Sequence, residues 1–153
     1  MNTTVRMKYR GALLCMAMLI SPLSQAAYPK KMAVTVEIWN DTGTQLNFTT
    51  ASWLAAGTDL SASVIPQNAQ TAHFGLTLNN PMNDSAIFRL RSGARECKFT
   101  LGHEKVFSWF GLSPAPDKFA TAKSTGTIPT RCSASVIKGL KSMEAYSVRV
   151  RMS

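Results

Sequence analysis

The chain offers few side chains that could do chemistry. His73 and His103 are its two imidazoles, and eight carboxylates are scattered singly among 153 residues. General acid–base catalysis or metal binding needs such groups in pairs or clusters. His73 falls mid-strand beside Phe74, where a packed or surface histidine is the default. His103 and Glu104 follow Gly102 in an expected turn, and two adjacent residues are not a metal-ligand spacing. No G-x-S-x-G, H-E-x-x-H or P-loop pattern occurs. The expectation is a protein that is not an enzyme and uses no metal or cofactor. The alternative is a hydrolase whose carboxylates meet only in space.

Cysteine is the next reactive type. Cys15 lies in an apolar stretch near the start, which leaves Cys97 and Cys132. Neither belongs to a C-x-x-C pair, so redox chemistry is not expected. In an oxidising compartment an even pair predicts one disulfide. Closing a loop of a few tens of residues contributes on the order of 3–4 kcal/mol.

That compartment is indicated by the N-terminus. Arg6, Lys8 and Arg10 form a basic region, Gly11 to Ile20 an apolar one, and small residues at Ser24 and Ala26 follow. This is the pattern of a secretory signal peptide. The apolar run falls short of the roughly 20 residues of a membrane span. Cleavage is expected after Ala26 or Ala27, which makes residues 1–26 a signal and 27–153 one domain, periplasmic or secreted.

Charge narrows the partners. The full chain carries 17 basic and 8 acidic residues; losing three basic ones with the signal leaves 14 − 8 = +6. No basic run exceeds the pair Lys30-Lys31, so nucleic acid is not expected. An acidic protein or an anionic membrane surface suits an exported cationic domain better.

The elements that must position these charges are strands. "MAVTVEIW" alternates, and "NDTG" from Asn40 to Gly43 is a strong turn. Further runs follow in "TQLNFTTASWL", "LSASVIP", "AQTAHFGLTL", "SAIFRLRS", "ECKFTL", "EKVFSWF", "TRCSASVIKG" and "EAYSVRVRM". Strand-length runs parted by turn signals predict an all-β, antiparallel β-sandwich of about 8–9 short strands with one disulfide; a barrel is the alternative. The stretch from Gly111 to Pro129 is expected to be looser, with room for one helical turn near Pro116 to Ala122.

Three strands alternate cleanly enough to assign faces. Phe88 and Leu90 turn inward, with Arg89 and Arg91 outward. Cys97, Phe99 and Leu101 turn inward, with Lys98 outward. Tyr146, Val148, Val150 and Met152 turn inward, with Arg149 and Arg151 outward. If all three strands share a sheet, Arg89, Arg91, Lys98, Arg149 and Arg151 make one cationic face; otherwise the rows never meet. Like charges side by side cost stability, so such a face implies an acidic ligand. In "VFSWF" both faces are apolar, which predicts a core strand. The proline-stiffened "GLSPAPDKF" is expected to be exposed and to offer Leu112 and Lys118 to a partner.

The stretch Val34 to Gly57, with Asn40, Thr42, Gly43, Ala51, Ser52, Trp53 and Gly57, resembles the opening of aegerolysin-type β-sandwich proteins. The resemblance covers about a fifth of the mature chain. It implies membrane-lipid binding, in some members pore formation with a partner, and a binding role for Trp53.

These observations favour an exported binding protein that recognises an acidic protein partner, of the inhibitor or immunity type. Alternatives are an anionic-lipid binder or pore component, and a fimbrial or surface-assembly subunit exchanging its alternating end strands.

Overall fold

The computed structural model describes residues 30–54, 59, 63–68, 72–108, 111–112, 116–140 and 145–153. The expected signal peptide lies outside the described residues. So do Trp109 and Phe110 of "VFSWF".

All regular structure among the described residues is β. One sheet runs β10 (Cys132–Lys138), β11 (Tyr146–Met152), β1 (Met32–Asn40), β4 (Ala72–Leu78). The other runs β3 (Val64–Ile65), β2 (Leu46–Ala51), β5 (Asp84–Ser92), β6 (Arg95–Glu104), β9 (Asp117–Ser124). Pairing is antiparallel except between β1 and β11, which run parallel. This is the expected sandwich.

Alternation builds the core. Val34, Val36 and Ile38 of β1, Val148 and Val150 of β11, and Phe88, Leu90, Phe99 and Leu101 of β5 and β6 are all at most 1% exposed. Phe74 of the first sheet meets Phe88 of the second edge-on at 5.5 Å, and Phe88 stacks on Phe99 at 5.2 Å. The Cys97–Cys132 disulfide joins β6 to β10, with Cα atoms 5.9 Å apart, and so ties the two sheets together.

Two turns are fixed locally. Asn40, fully buried, donates its amide to the carbonyls of Thr44 (2.7 Å) and Pro66 (2.8 Å) and accepts from the Thr42 backbone and hydroxyl. Gly93 opens the two-residue β5–β6 turn at φ 59°, a conformation that favours glycine.

Three expectations are corrected. Gly102 to Glu104, expected as a turn, continue β6, and His103 is buried there. The stretch from Asp117 to Ser124 is an eight-residue strand, neither loop nor helical turn. Its inward positions are Lys118, Ala120, Ala122 and Ser124, which pair with His103, Leu101, Phe99 and Cys97. Small alanines and an inward lysine give no apolar alternation to read. Further, among the described residues Phe107–Ser108 (β7) pairs only with Gly111–Leu112 (β8), in a two-stranded sheet of its own rather than within either main sheet.

Candidate functional site: a cationic sheet face

The outer face of the β5–β6–β9 sheet collects cations by register. Arg89 pairs with Lys98, and Lys98 with Lys123, so three basic residues stand in one row across three strands. Arg91 lies two residues along β5 and pairs with Glu96. Lys123 was not singled out from sequence, because it lies in the stretch expected to be loose. Its position opposite Lys98 exists only once β9 docks on β6.

Glu96 organises this face. Its side chain is 5% exposed beneath the guanidiniums of Arg89 (40%) and Arg91 (55%). One carboxylate oxygen accepts from Arg89 Nη1 at 3.1 Å and from the Thr125 hydroxyl at 2.9 Å. The other accepts from Arg91 Nε at 3.0 Å and Nη2 at 2.7 Å, and from the Thr49 hydroxyl at 3.4 Å. Burial raises the Glu96 pKa, but the Thr125 bond and the two arginines outweigh it and hold the carboxyl below its ordinary value. Among the described residues no carboxylate pairs with Lys98 or Lys123. Arg89, Arg91, Lys98 and Lys123 with Glu96 form a cluster of 4 − 1 = +3 at one end of the face, while Glu104 and Asp117 stand at its other end.

Arg149 and Arg151 are elsewhere. They lie on the outer face of the other sheet, so the single five-residue cationic face does not form. The face is assembled by strand order, which face alternation alone does not specify. These arginines are also neutralised. Arg149 donates to both Glu37 oxygens at 3.2 Å, and Arg151 pairs with Asp41. Their guanidiniums lie 4.5 and 5.6 Å from the centre of the Trp39 ring, a cation–π stack. The Trp39 indole N–H donates to Glu37, and this bond, with Arg149 and the charge of His73, holds the Glu37 carboxyl below its usual range against desolvation.

The remaining expected contact residues divide. Lys118 is 6% exposed and points inward from β9; its ammonium donates to the Gly139 carbonyl and sits 5.2 Å from the centre of the Tyr146 ring. It is no exposed loop residue. Burial lowers its pKa. The Leu112 side chain lies outside the described residues. Trp53 is half-buried, stacked on Phe74 at 5.5 Å and edge-on to Phe88 at 5.7 Å, beside a ≈ 200 Å³ groove with Phe48 and Leu54 on its walls. Trp53 therefore packs as part of the core margin rather than standing free.

A polar cluster at one end of the sandwich also escaped the sequence. His103 is fully buried, with Nε2 2.7 Å from the Asn80 carbonyl, and its ring meets Tyr146 at right angles, 6.1 Å away. Burial, then the Asp84 charge, pushes the Tyr146 phenol well above its usual range. Among the described residues neither His103 Nδ1 nor the Tyr146 hydroxyl has a hydrogen-bond partner. Among the described residues no three of the His, Cys, Asp and Glu side chains gather to hold a metal ion, and no helix is long and apolar enough to cross a membrane.

No protein-family model matches the chain, and neither does any curated protein.

Proposed function

We propose that the protein is an exported, non-enzymatic binding module that recognises an acidic protein partner through the Arg89–Arg91–Lys98–Lys123 face. The single observation that carries this reading is the Arg89–Lys98–Lys123 row. Like charges directly opposite on neighbouring strands destabilise a sheet, and an opposite charge at either lysine would relieve them. An acidic ligand supplies that charge from outside. The disulfide agrees with an oxidising compartment.

The chemistry of the surroundings favours a protein over a bilayer. Near the cations the face presents Thr50, Thr100 and Thr121, and its apolar residues Ile87 and Phe119 are half-buried rather than projecting, whereas stable adsorption to lipid combines cations with apolar side chains that enter the acyl region.

Binding of a fluorescent polyglutamate peptide to residues 27–153, followed by anisotropy at low and moderate salt, tests the reading. The expected result is saturable binding that fades with salt and is lost in Lys98→Glu/Lys123→Glu. Flotation with phosphatidylglycerol vesicles runs beside it. Adsorption to vesicles without polyglutamate binding would replace the protein partner by a lipid surface; binding to neither would refute the cationic face.

A further inference from the structure

We infer that Glu96 is the positioning residue of this face, and that the partner presents carboxylates on an extended acidic segment laid along β5. The inference rests on the binding function proposed above.

Glu96 is an odd residue to find at the centre of a site for anions. A carboxylate there cancels one of four positive charges. Its geometry accounts for its presence. Buried to 5% exposure, it takes two N–H groups from Arg91 and one from Arg89, while Thr125 and Thr49 complete its shell. Both long side chains are thereby tied to Glu96. Among the described residues Arg91 spends Nε and Nη2 on Glu96 and keeps Nη1 for a ligand, and Arg89 spends Nη1 and keeps Nε and Nη2. Fixing a guanidinium beforehand removes the ordering cost that a ligand otherwise meets. Planar guanidinium edges receive carboxylates in fixed orientation, which a free lysine ammonium does not.

Spacing points to an extended segment. Arg89 and Arg91 are two residues apart on one strand, about 6.8 Å at the rise of antiparallel β structure. Alternate side chains of an extended ligand recur at the same interval, so acidic residues at every second position meet the two arginines in step. Lys98, beside Arg89 on β6, and Lys123 beyond it on β9 add positive charge along the flank of that segment.

The test separates positioning from charge. Glu96→Gln raises the net charge of the cluster from +3 to +4, so attraction alone predicts tighter polyglutamate binding. Positioning predicts weaker binding, by about tenfold for two arginines released. Arg91→Lys keeps the charge, changes an exposed side chain and removes the fork; it should also weaken binding several-fold and decides the matter if Glu96→Gln does not fold. A peptide alternating Glu with Ser should bind the wild type nearly as well as polyglutamate, and better than one with the same acids in a single block. Tighter binding by Glu96→Gln, or Arg91→Lys equal to wild type, would overturn the positioning role. A preference for the blocked peptide would overturn the extended segment. Wild type that binds no polyglutamate would instead sink the function on which this inference stands.

Discussion

Lys98 stands directly opposite Lys123 across the β6–β9 pair, with no carboxylate between them among the described residues. Placing an acid at one of the two positions should relieve the repulsion. Lys123→Glu is expected to stabilise the fold by about 0.2–1 kcal/mol in urea denaturation while weakening polyglutamate binding. A variant that is more stable yet binds less well would show that the row is kept at a cost in stability.

On the opposite sheet the arginines are structural. Arg149→Ala removes a two-oxygen contact to Glu37 and a cation–π contact to Trp39. It should cost about 1 kcal/mol of stability, given the modest worth of exposed pairs, and leave polyglutamate affinity within about twofold. A large loss of affinity would transfer the binding face to the other side of the sandwich.

Acid should weaken the fold through Glu96 and Glu37. Both carboxyls are held below their ordinary value of 4.5 in the folded chain. The unfolded chain therefore takes up protons first as pH falls, and stability drops from about the ordinary value downward as the folded groups titrate. Urea midpoints measured between pH 7 and pH 3 should fall below pH 4.5, and Glu96→Gln should flatten part of that decline. An unchanged slope in that variant would mean the Glu96 contacts contribute no pH-linked stability.

Tyr146 carries a buried hydroxyl with no partner among the described residues. Removing an unsatisfied polar group removes its desolvation penalty, so Tyr146→Phe should be neutral or stabilising by about 1 kcal/mol. Lys118→Met, which keeps an unbranched stem in the same inward position, should leave polyglutamate binding unchanged. Loss of binding in that variant would restore Lys118 to the interface.

Breaking the staple should cost more than any of these. The Cys97–Cys132 bond closes a separation of 35 residues, for which loop-closure entropy gives about 4 kcal/mol. Denaturation with and without reductant measures it directly.

The elements were legible wherever large apolar residues alternate with charged ones. Phe88 and Leu90 against Arg89 and Arg91 fix the faces of β5, because side chains along a strand point alternately to opposite sides. The same rule failed on β9. There Lys118 and two alanines face inward, and neither carries the apolar signal that marks a core position. "VFSWF" differs in another way: over its described residues, Val106 to Ser108, it joins no strand of the main sheets, and Phe107–Ser108 pairs with Gly111–Leu112 instead. His103 looked like a turn residue after Gly102, yet β6 runs on through Glu104 and buries it.

The sequence by itself determined the fold class, the facing of the clean strands and the pair of cysteines available for the disulfide. Each of these depends on local periodicity or on residue counting. Only the tertiary structure decided which cations share a surface. Strand order sends Arg149 and Arg151 to a sheet where Glu37 and Asp41 neutralise them. It sets Lys123 beside Lys98, and it buries Glu96 under Arg89 and Arg91. Whether a charge is free or spent depends on what lies about 5 Å away on the neighbouring strand, and neighbouring strands here can be far apart in the chain.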